Sequence, residues 1–319
     1  MVADLSIIIV SYNQFSATTG PCLQSLAAVQ DIDLEIIVVD NGSDQRTRFA
    51  LEQAAVMDER IRLLLHPDNR GFAAGNNDGV QLASAGYVLL LNSDTLVPEY
   101  VPAAMVRRLR ESPVPCLVGP VTNAAGNEQQ IYITEGSDKS SVLAQGDSWS
   151  RHAAGSVFQT DQLPFFCVAM ARKTYIDLGG LDISFGLGFY EDTDFCCRAA
   201  QHGVILQVDE ECFIFHQGSA SFSQVPDAVK KLLRVNRKRF RARHGRGDGM
   251  HVRWKNYRVL ENYLAHMEDS DIPLSHLFEN RMARARQLTP NNPLKKIFYR
   301  YRLHKLEKKN TRLQAKGNS

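Results

Sequence analysis

The feature that most constrains this chain is a fully apolar run, residues 88–91, which ends abruptly in Asn92, Ser93 and Asp94. A short run of this kind predicts a strand covered on both faces of a sheet, and ligands collect at the carboxyl ends of such strands. Asn92 and Asp94 are two residues apart, so on an extended backbone both side chains point the same way. Their oxygens suit a hard cation such as Mg²⁺ or Mn²⁺. Taken alone, an Asn-Ser-Asp sequence is more often a simple turn.

Apolar runs alternate with helical patterns throughout the first hundred residues. Strands are predicted over 5–10, 35–39, 61–65 and 87–91, with helical patterns between them. Strands that alternate with helices indicate a mostly parallel sheet and an α/β fold. Polar side chains follow the end of each predicted strand: Tyr12 and Asn13, then Asp40, then Asn69 and Arg70, then Asn92 and Asp94.

Length and composition allow one large α/β domain, or a domain with an appendage, in a chain of 319 residues with 44% hydrophobic content. No apolar run approaches the roughly 20 residues that span a bilayer, and the N-terminus lacks the features of a signal peptide, so we expect a cytoplasmic protein. The six cysteines contain no C-x-x-C pair and are expected to be reduced. Neither a G-x-G-x-x-G after the first predicted strand nor a G-x-x-x-x-G-K-[ST] occurs, which disfavours Rossmann dehydrogenases and P-loop enzymes.

Several motifs stand in a fixed order along the chain. The first four are Ile9-Val10-Ser11-Tyr12-Asn13, Val38-Val39-Asp40-Asn41-Gly42-Ser43, Asn69-Arg70-Gly71-Phe72-Ala73-Ala74-Gly75-Asn76-Asn77 and Leu91-Asn92-Ser93-Asp94. The later ones are Gly179-Gly180-Leu181-Asp182, Tyr190-Glu191-Asp192-Thr193-Asp194 and His216-Gln217-Gly218-Ser219. Together they resemble family 2 inverting glycosyltransferases with the GT-A fold, and in particular the bacterial rhamnosyltransferase-like subset. The resemblance covers residues 4–245 and implies a Rossmann-like, mostly parallel central sheet flanked by helices.

The resemblance also implies a donor site at the carboxyl edge of the sheet. Asp40 would accept a hydrogen bond from the base N–H of a uracil or thymine, and the loop at Ser11, Tyr12 and Asn13 would frame the base and ribose. A simple turn residue at Asp40 and a packing glycine at Gly75 are the structural alternatives. The remaining donor candidates, near the ribose and diphosphate, are Asn69, Arg70, Gly75, Asn76, Asn77, Asn92 and Ser93.

A metal site is implied at Asn92 and Asp94, with His216 completing it. The family's metal motif is usually Asp-x-Asp, and here Asn92 replaces the first acid. An amide supplies a neutral oxygen, so the site loses one negative charge. A lone histidine is more often structural than a ligand, and only its position in the motif favours His216. The expected cofactor is Mg²⁺ or Mn²⁺.

Three acids open a predicted amphipathic helix after a glycine-rich approach. Glu191, Asp192 and Asp194 could simply cap this helix, because carboxylates in a first turn interact favourably with its dipole. The resemblance instead implies a catalytic acid motif whose second residue is the general base. We therefore predict Asp192 as the base, with Glu191 beside it.

The predicted organisation is a transferase domain over 1–245, divided into a nucleotide-binding half (1–97) and an acceptor and catalytic half (98–245), followed by a basic helical extension over 246–319. Residues 122–160 are polar and lack clear periodicity. They are predicted to form either an acceptor flap or an ordinary surface insertion.

Lys and Arg are concentrated in the last third of the chain, although the net charge is only +2. A basic helix over 230–246 could bind nucleic acid or anionic lipid, or pack on the domain, and packing is favoured. After Pro293, aromatic residues interleaved with cations suit a membrane interface, with Phe298, Tyr299 and Tyr301 inserted. Helical spacing of Ile297, Tyr301 and Leu306 also allows an oligomerisation helix, and no nucleic-acid partner is expected.

The leading hypothesis is an inverting, metal-dependent transferase that moves a sugar from a nucleoside-diphosphate sugar to a saccharide or lipid-linked acceptor. Deoxythymidine-diphosphate rhamnose is the first guess for the donor, otherwise a UDP-sugar, in bacterial O-antigen or capsule synthesis at the cytoplasmic face of the inner membrane. No Q-x-x-R-W motif occurs, which favours single additions. A nucleotidyltransferase would need a glycine-rich basic loop after the first strand, which residues 11–14 lack. A non-catalytic adaptor would leave the acids without a role.

Overall fold

Four parallel strands form one half of the central sheet, as the apolar runs predict. The computed structural model describes residues 3–218, 226–245, 250–269 and 274–317. The strands are β1 (Leu5–Ser11), β2 (Leu34–Asn41), β3 (Ile61–His66) and β4 (Tyr87–Asn92), and the helices between them are α1 (Thr19–Ala27), α2 (Gln45–Met57) and α3 (Gly71–Leu82). β1 lies between β2 and β4, and β3 pairs with the outer side of β2.

The second half of the sheet mixes parallel and antiparallel strands. Its elements are β5 (Thr95–Leu96), α4 (Val101–Glu111), β6 (Cys116–Thr122), α5 (Lys139–His152), β7 (Val157–Gln159), β8 (Cys167–Ala171), α6 (Arg172–Asp177), a short 3-10 turn (Ile183–Phe185), α7 (Glu191–Gln201) and β9 (Ile205–His216). Within the described residues the strand order is β3-β2-β1-β4-β8-β6-β9-β5, with β7 also paired to β9. β8 is antiparallel to both β4 and β6. The prediction of a mostly parallel α/β sheet flanked by helices is confirmed.

Alternate residues of the buried strands feed two separate layers of core. Ile7 and Ile9 pack on one face with the apolar side of α1 and α4, whereas Ile8 points to the opposite face. This alternation follows from the two-residue period of a strand. α3, α5 and α7 cover the second face, so a strand such as β1 is apolar on both sides.

Residues 122–160 include two regular elements that the sequence did not indicate, α5 and β7, while the acceptor-flap and surface-insertion roles stay predictions. α5 packs on β9, and Trp149 is buried with its indole N–H donating to the carbonyl of Glu210 over 2.9 Å. Gly146 lies so close to Phe213 that an added Cβ would stand 2.1 Å from the ring. The polar sequence misled because its buried polar side chains, Asn127 and Gln129 among them, bond to one another.

Four helices follow the sheet: α8 (Pro226–His244), α9 (Val252–Asp269), α10 (Ser275–Gln287) and α11 (Pro293–Gly317). α8 packs against the domain, as favoured from the sequence, because buried Asn236 donates to the carbonyls of Phe185 and Gly188 over 2.7 and 2.9 Å. Arg246 and Ser219 lie outside the described residues.

The last three helices share the apolar core of the sheet domain. Arg281 of α10 is fully buried and contacts Glu210 of β9 over 2.7 Å. The hydroxyl of Tyr263 also donates to Glu210. The boundary at residue 245 therefore stays a prediction, since side chains from both parts contribute to one core.

α11 presents its aromatic residues differently from the prediction. Tyr299 is 1% exposed and its hydroxyl donates to the carbonyl of Ala285, so it cannot insert into a membrane. Leu294, Ile297, Phe298 and Tyr301 are 80, 68, 54 and 55% exposed. No helix among the described residues is both long and apolar enough to cross a bilayer. All six cysteines, each within the described part of the chain, are buried free thiols, as predicted.

Candidate active site

One cleft, with a volume of about 640 Å³, gathers side chains that are far apart in the sequence. Asn92 reaches it from the end of β4 and His216 from the end of β9. Glu191 and Asp192 enter from the first turn of α7. The cleft therefore combines candidates for the metal site and for the base.

Asn92, Asp94 and His216 converge because β5 pairs with β9, which places Thr95 opposite His216. His216 Nε2 lies 3.4 Å from Asp94 Oδ1 and 3.5 Å from Asn92 Nδ2. On the other side of the ring, Nδ1 lies 2.9 Å from the carbonyl oxygen of Ala124. Burial alone would lower the pKa of His216, but the hydrogen bond and charge of Asp94, together with the Ala124 carbonyl, raise it.

These three side chains fit a divalent cation. A carbonyl oxygen only accepts, so the bond to Ala124 requires the proton on Nδ1 and aims Nε2 of the neutral ring at Asp94. Second-shell bonds of this kind orient histidine ligands. Among the described residues no group of three His, Cys, Asp or Glu side chains is placed to hold a metal, and at this site Asn92 lies beside Asp94 and His216. A carboxylate, an amide and an imidazole remain as the donor set.

The approach to α7 is conformationally unusual. Phe189 and Tyr190 adopt positive φ values of 70° and 78°, a left-handed conformation that is uncommon for non-glycine residues. Such residues cluster at functional sites. These two residues immediately precede the helix, and Glu191 and Asp192 in its first turn line the cleft.

Glu191 and Asp192 form a carboxyl pair with raised pKa values. Burial, followed by the charge of Asp192, raises the pKa of Glu191 to about 8. Burial also raises the pKa of Asp192, while hydrogen bonds from Thr193 oppose the shift. Glu191 Oε2 is buried and has no hydrogen-bond partner among the described residues. Because two adjacent buried carboxyls resist double ionisation, the pair favours a state that keeps one proton.

Asp194 has a different environment, although it is only two residues further along. It accepts hydrogen bonds from Arg198 (2.8 Å), Arg243 (2.9 Å) and His244 (2.8 Å). Burial would raise its pKa, but these three groups lower it. Asp194 therefore anchors α8, whereas Glu191 and Asp192 are the acids of this turn that line the cleft.

The predicted base-binding residues lie together at the carboxyl edge of the sheet, outside the cleft lining, where Ser11 pairs with Asp40. Asp40 is fully buried and accepts from the Ser43 N–H (3.2 Å) and from Arg48 Nε (3.0 Å). Ser11 shares a hydrogen bond with Thr19, which leaves its hydroxyl inside the protein.

The neighbouring loop is more open to a ligand. Tyr12 is 43% exposed. Asn13, with φ of 55°, accepts from the Asp44 N–H (2.9 Å), and its own N–H donates to Ser43 Oγ (2.8 Å). Ser93, in the turn after β4, is half-buried.

Asn69 and Arg70 lie beside the base-binding edge. Asn69 Oδ1 accepts from Asn41 Nδ2 and from the Gly71 N–H, over 3.0 and 2.9 Å. The guanidinium of Arg70 contacts Asp78 at 2.5 Å and is 45% exposed. A ligand phosphate could compete with Asp78 for this cation.

Gly75, Asn76 and Asn77 are engaged inside the protein. An added Cβ on Gly75 would stand 2.9 Å from Val10, so this residue is a packing glycine. Asn76 donates to the carbonyl of Phe72 one turn earlier (2.9 Å), and Asn77 donates to that of Leu181 (2.8 Å). These contacts give all three a packing role, and their place in the donor site stays a prediction.

Several cleft residues carried no recognisable signal in the sequence. Phe166 stacks on His216 with ring centroids 4.9 Å apart, and Leu233 reaches the cleft from α8. Gln162 donates to Thr193 next to the acid pair. Phe166 resembles any strand-flanking aromatic, and only tertiary packing brings the other residues to the site.

Comparisons with known proteins show the family of this chain. Residues 6–175 match the family described as glycosyl transferase family 2, and the chain belongs to that family. It is 25% identical over 232 residues to the uncharacterized glycosyltransferase EpsJ of Bacillus subtilis (strain 168), covering 71% of this chain and 64% of the relative. Over 109 residues it is 28% identical to the poly-beta-1,6-N-acetyl-D-glucosamine synthase of Staphylococcus aureus (strain COL), covering 34% and 26%. The matches span less than two thirds of either relative.

Solved structures show the same fold. The mannosyltransferase PcManGT from Pyrobaculum calidifontis, in complex with GDP-Man and Mn²⁺, superposes with a TM-score of 0.54 at 15% identity, covering 98% of this chain and 88% of that one. GalNAc-T7 with UDP, GalNAc and Mn²⁺ also gives 0.54, at 13% identity, covering 82% and 55%. The architecture is therefore of the GT-A type.

Proposed function

We propose that this protein transfers a sugar from a nucleoside-diphosphate sugar to an acceptor hydroxyl with inversion at the anomeric carbon. The observation that carries the proposal is the meeting of Asn92 and His216 with Glu191 and Asp192 in one cleft. Membership of family 2 and the GT-A fold support it.

Asp192 is the proposed general base. Inverting transfer is a single displacement, so one group must take the proton of the attacking hydroxyl. A proton on Glu191, whose pKa is about 8, keeps the charge of the pair on Asp192 near neutral pH. Asp194 is not suited to this role, because Arg198, Arg243 and His244 already bind its carboxylate oxygens.

Asn92, Asp94 and His216 would hold Mg²⁺ or Mn²⁺. Such a cation would supply a Lewis acid that neutralises the charge developing on the leaving diphosphate. The donor set fits, and the Ala124 carbonyl orients the imidazole. Single additions are proposed, in line with the sequence.

The donor is proposed to bind along the carboxyl edge of β1–β3. Asp40, Tyr12 and Asn13, with Ser11, would recognise a uracil or thymine base, and Arg70 would approach the phosphates. Exposure of Tyr12 and Arg70 supports this assignment. Deoxythymidine-diphosphate rhamnose stays the first candidate and UDP-sugars the second. Asn69, Asn92 and Ser93 complete the proposed donor site.

The acceptor is proposed to be a saccharide or lipid-linked saccharide in bacterial surface polysaccharide synthesis, such as O-antigen or capsule. Similarity to a polysaccharide synthase supports the polysaccharide pathway. Contact with the cytoplasmic face of the inner membrane is proposed through the exposed stripe of α11. This stripe consists of Leu294, Ile297, Phe298 and Tyr301.

Exposed cations at Lys295, Arg300 and Lys305 flank that stripe, and each contributes about 1 kcal/mol near an anionic surface. Changing Ile297 and Phe298 to Ser together should release the protein from anionic vesicles, as should high salt. Substitution of buried Tyr299 and Leu303 by Ser would instead test how far the packing of α11 on the domain contributes to vesicle binding. Unchanged vesicle binding with a lower molar mass in light scattering would indicate an oligomerisation helix.

Hydrolysis of a donor panel tests the central proposal. UDP-glucose, UDP-N-acetylglucosamine, GDP-mannose and deoxythymidine-diphosphate rhamnose would be incubated with the protein, with and without Mn²⁺. We expect release of nucleoside diphosphate from one of them, lost in Asp192→Asn. Formation of a sugar nucleotide from a nucleoside triphosphate and a sugar phosphate would instead favour a nucleotidyltransferase.

A further inference from the structure

A chain of hydrogen bonds runs from the segment before β8 to Asp192. Gln162 Nε2 lies 2.8 Å from Thr193 Oγ1, which lies 3.1 Å from Asp192 Oδ1. The backbone N–H of Thr193 donates to the same Oδ1 over 2.6 Å. Both bonds from Thr193 therefore end on one oxygen of the carboxyl group.

The direction of this chain follows from what each group can donate. An ionised carboxylate only accepts, so the hydroxyl of Thr193 must give its single proton to Asp192. The hydroxyl oxygen is then open to accept, and the amide nitrogen of Gln162 donates to it. Hydrogen bonds donated to a carboxylate stabilise its ionised form, so the chain favours charged Asp192.

Gln162 is itself held in place. Buried Asn127 donates to the carbonyl of Gln162 over 3.1 Å, and the N–H of Gln162 donates to Thr160 Oγ1 over 3.3 Å. Gln162 and Thr193 both line the cleft. Both bonds hold the backbone of Gln162, from which its side-chain amide reaches Thr193 beside the acid pair.

We propose that Gln162 and Thr193 are positioning residues, which donate through Thr193 to Oδ1 of Asp192 and hold this carboxyl in the ionised form that takes the acceptor's proton. Its catalytic meaning rests on the proposed transferase function, whereas the protonation state of Asp192 can be measured without any substrate. Other titratable groups face the same carboxyl. They are Glu191 and Cys196 on α7, and His216, which contacts Asp94, also lines the cleft.

Carbon-13 NMR of protein labelled at the aspartate carboxyls tests the proposal directly. The Asp192 signal is assigned by its loss in Asp192→Asn, and its titration is compared among variants. We expect the pKa of Asp192 to rise by about one unit in Thr193→Val, because a hydrogen bond to a charged group is lost. Gln162→Met should raise it less, and Thr193→Ser should titrate like the parent.

Gln162→Glu is the sharpest variant, because it keeps the shape and reverses the polarity. A carboxylate at this position accepts the proton of Thr193 and withdraws it from Asp192. Gln130→Glu is the matched control, since Gln130 lines the same cleft but contacts Arg284 (2.7 Å). The pKa of Asp192 should rise more in Gln162→Glu than in Gln130→Glu. Equal shifts, or parental titration of Asp192 in both Gln162→Met and Thr193→Val, would overturn the proposal.

Turnover on the hydrolysed donor gives a second measurement. We expect Thr193→Val to lower kcat about tenfold or more with little change in the donor KM, and to move the acidic limb of the pH profile to higher pH. Thr193→Ser should restore both. If Asp192→Asn keeps parental turnover, the proposed base is wrong, and the NMR result on Gln162 and Thr193 is unaffected by that failure.

Discussion

The two ends of the first turn of α7 carry the same kind of side chain in opposite environments. Glu191 and Asp192 face the cleft, where burial raises their pKa values. Asp194 points to α8, where His244, Arg243 and Arg198 lower its pKa despite its burial. Asp192 and Asp194 are only two residues apart in the sequence.

Burial is common to all three acids, so the neighbouring arginines, rather than burial, distinguish Asp194 from Glu191 and Asp192. All three acids are removed from bulk water to a large extent, yet only Asp194 has positive charge to compensate. Where such donors are missing, burial raises the pKa of a carboxyl and so makes it a better proton acceptor once ionised. The following experiments test this contrast, in order of expected effect.

Asp192→Asn should give the largest change. An amide keeps the shape but cannot take a proton, so turnover should fall by about 10²- to 10⁴-fold while nucleoside diphosphate still binds. Donor hydrolysis and calorimetric titration measure the two quantities. Turnover within about tenfold of the parent, a barrier change of only about 1.4 kcal/mol, would move the base to Glu191.

Asp194→Asn should destabilise the fold and affect the chemistry less. Removing one member of a buried ion pair costs about 3–5 kcal/mol, and we expect about 2 kcal/mol here because Arg243 is 41% exposed. Urea unfolding measures the loss. If Asp194→Asn instead lowered turnover strongly and left stability unchanged, Asp194 would have a catalytic rather than a structural role.

The metal site should respond in proportion to ligand charge. Asp94→Ala should weaken Mn²⁺-dependent binding of nucleoside diphosphate at least tenfold, which is about 1.4 kcal/mol, whereas His216→Ala should weaken it less because hard cations prefer oxygen. Calorimetric titration with and without Mn²⁺ provides the comparison. Equal affinity in both conditions for the parent would show that diphosphate binding here needs no metal.

The pH dependence of stability should differ in sign between the two ends. Between pH 4.5 and about 8 the folded protein keeps a proton on Glu191 that the unfolded chain releases, so the free energy of unfolding falls as pH rises, by at most about 1.4 kcal/mol per pH unit. Asp194 stabilises above pH 3.8, and its contribution is lost as pH falls through its lowered pKa. Glu191→Gln should flatten the neutral region and Asp194→Asn the acidic one. Urea titrations from pH 3 to pH 9 would show whether each variant alters the expected region.

The sheet was predictable because its signals are local. Each strand of the first half is an apolar run with polar residues at its end, so β1 to β4 match the predicted strands to within one or two residues. α5 was missed because its helix depends on contacts with β9 rather than on a regular apolar stripe.

The candidate site was predictable only in part. The motifs singled out Asp192, Asp94 and His216 as candidates, whereas the binding of Asp194 by Arg243 and His244 depends on α8, some 50 residues later in the chain. Gly75 belongs to a family motif and yet packs on Val10. Burial of Tyr299 likewise depends on α10, which the composition of α11 does not reveal.

The buried contact between Arg281 and Glu210 limits how far the two parts of this chain can be exchanged. A chimera that took the C-terminal helices from a relative without an arginine at this place would leave Glu210 charged and uncompensated inside β9. His216, at the end of the same strand, would then depend on a distorted support. Recombination among relatives should therefore succeed only where β9 and α10 come from the same parent.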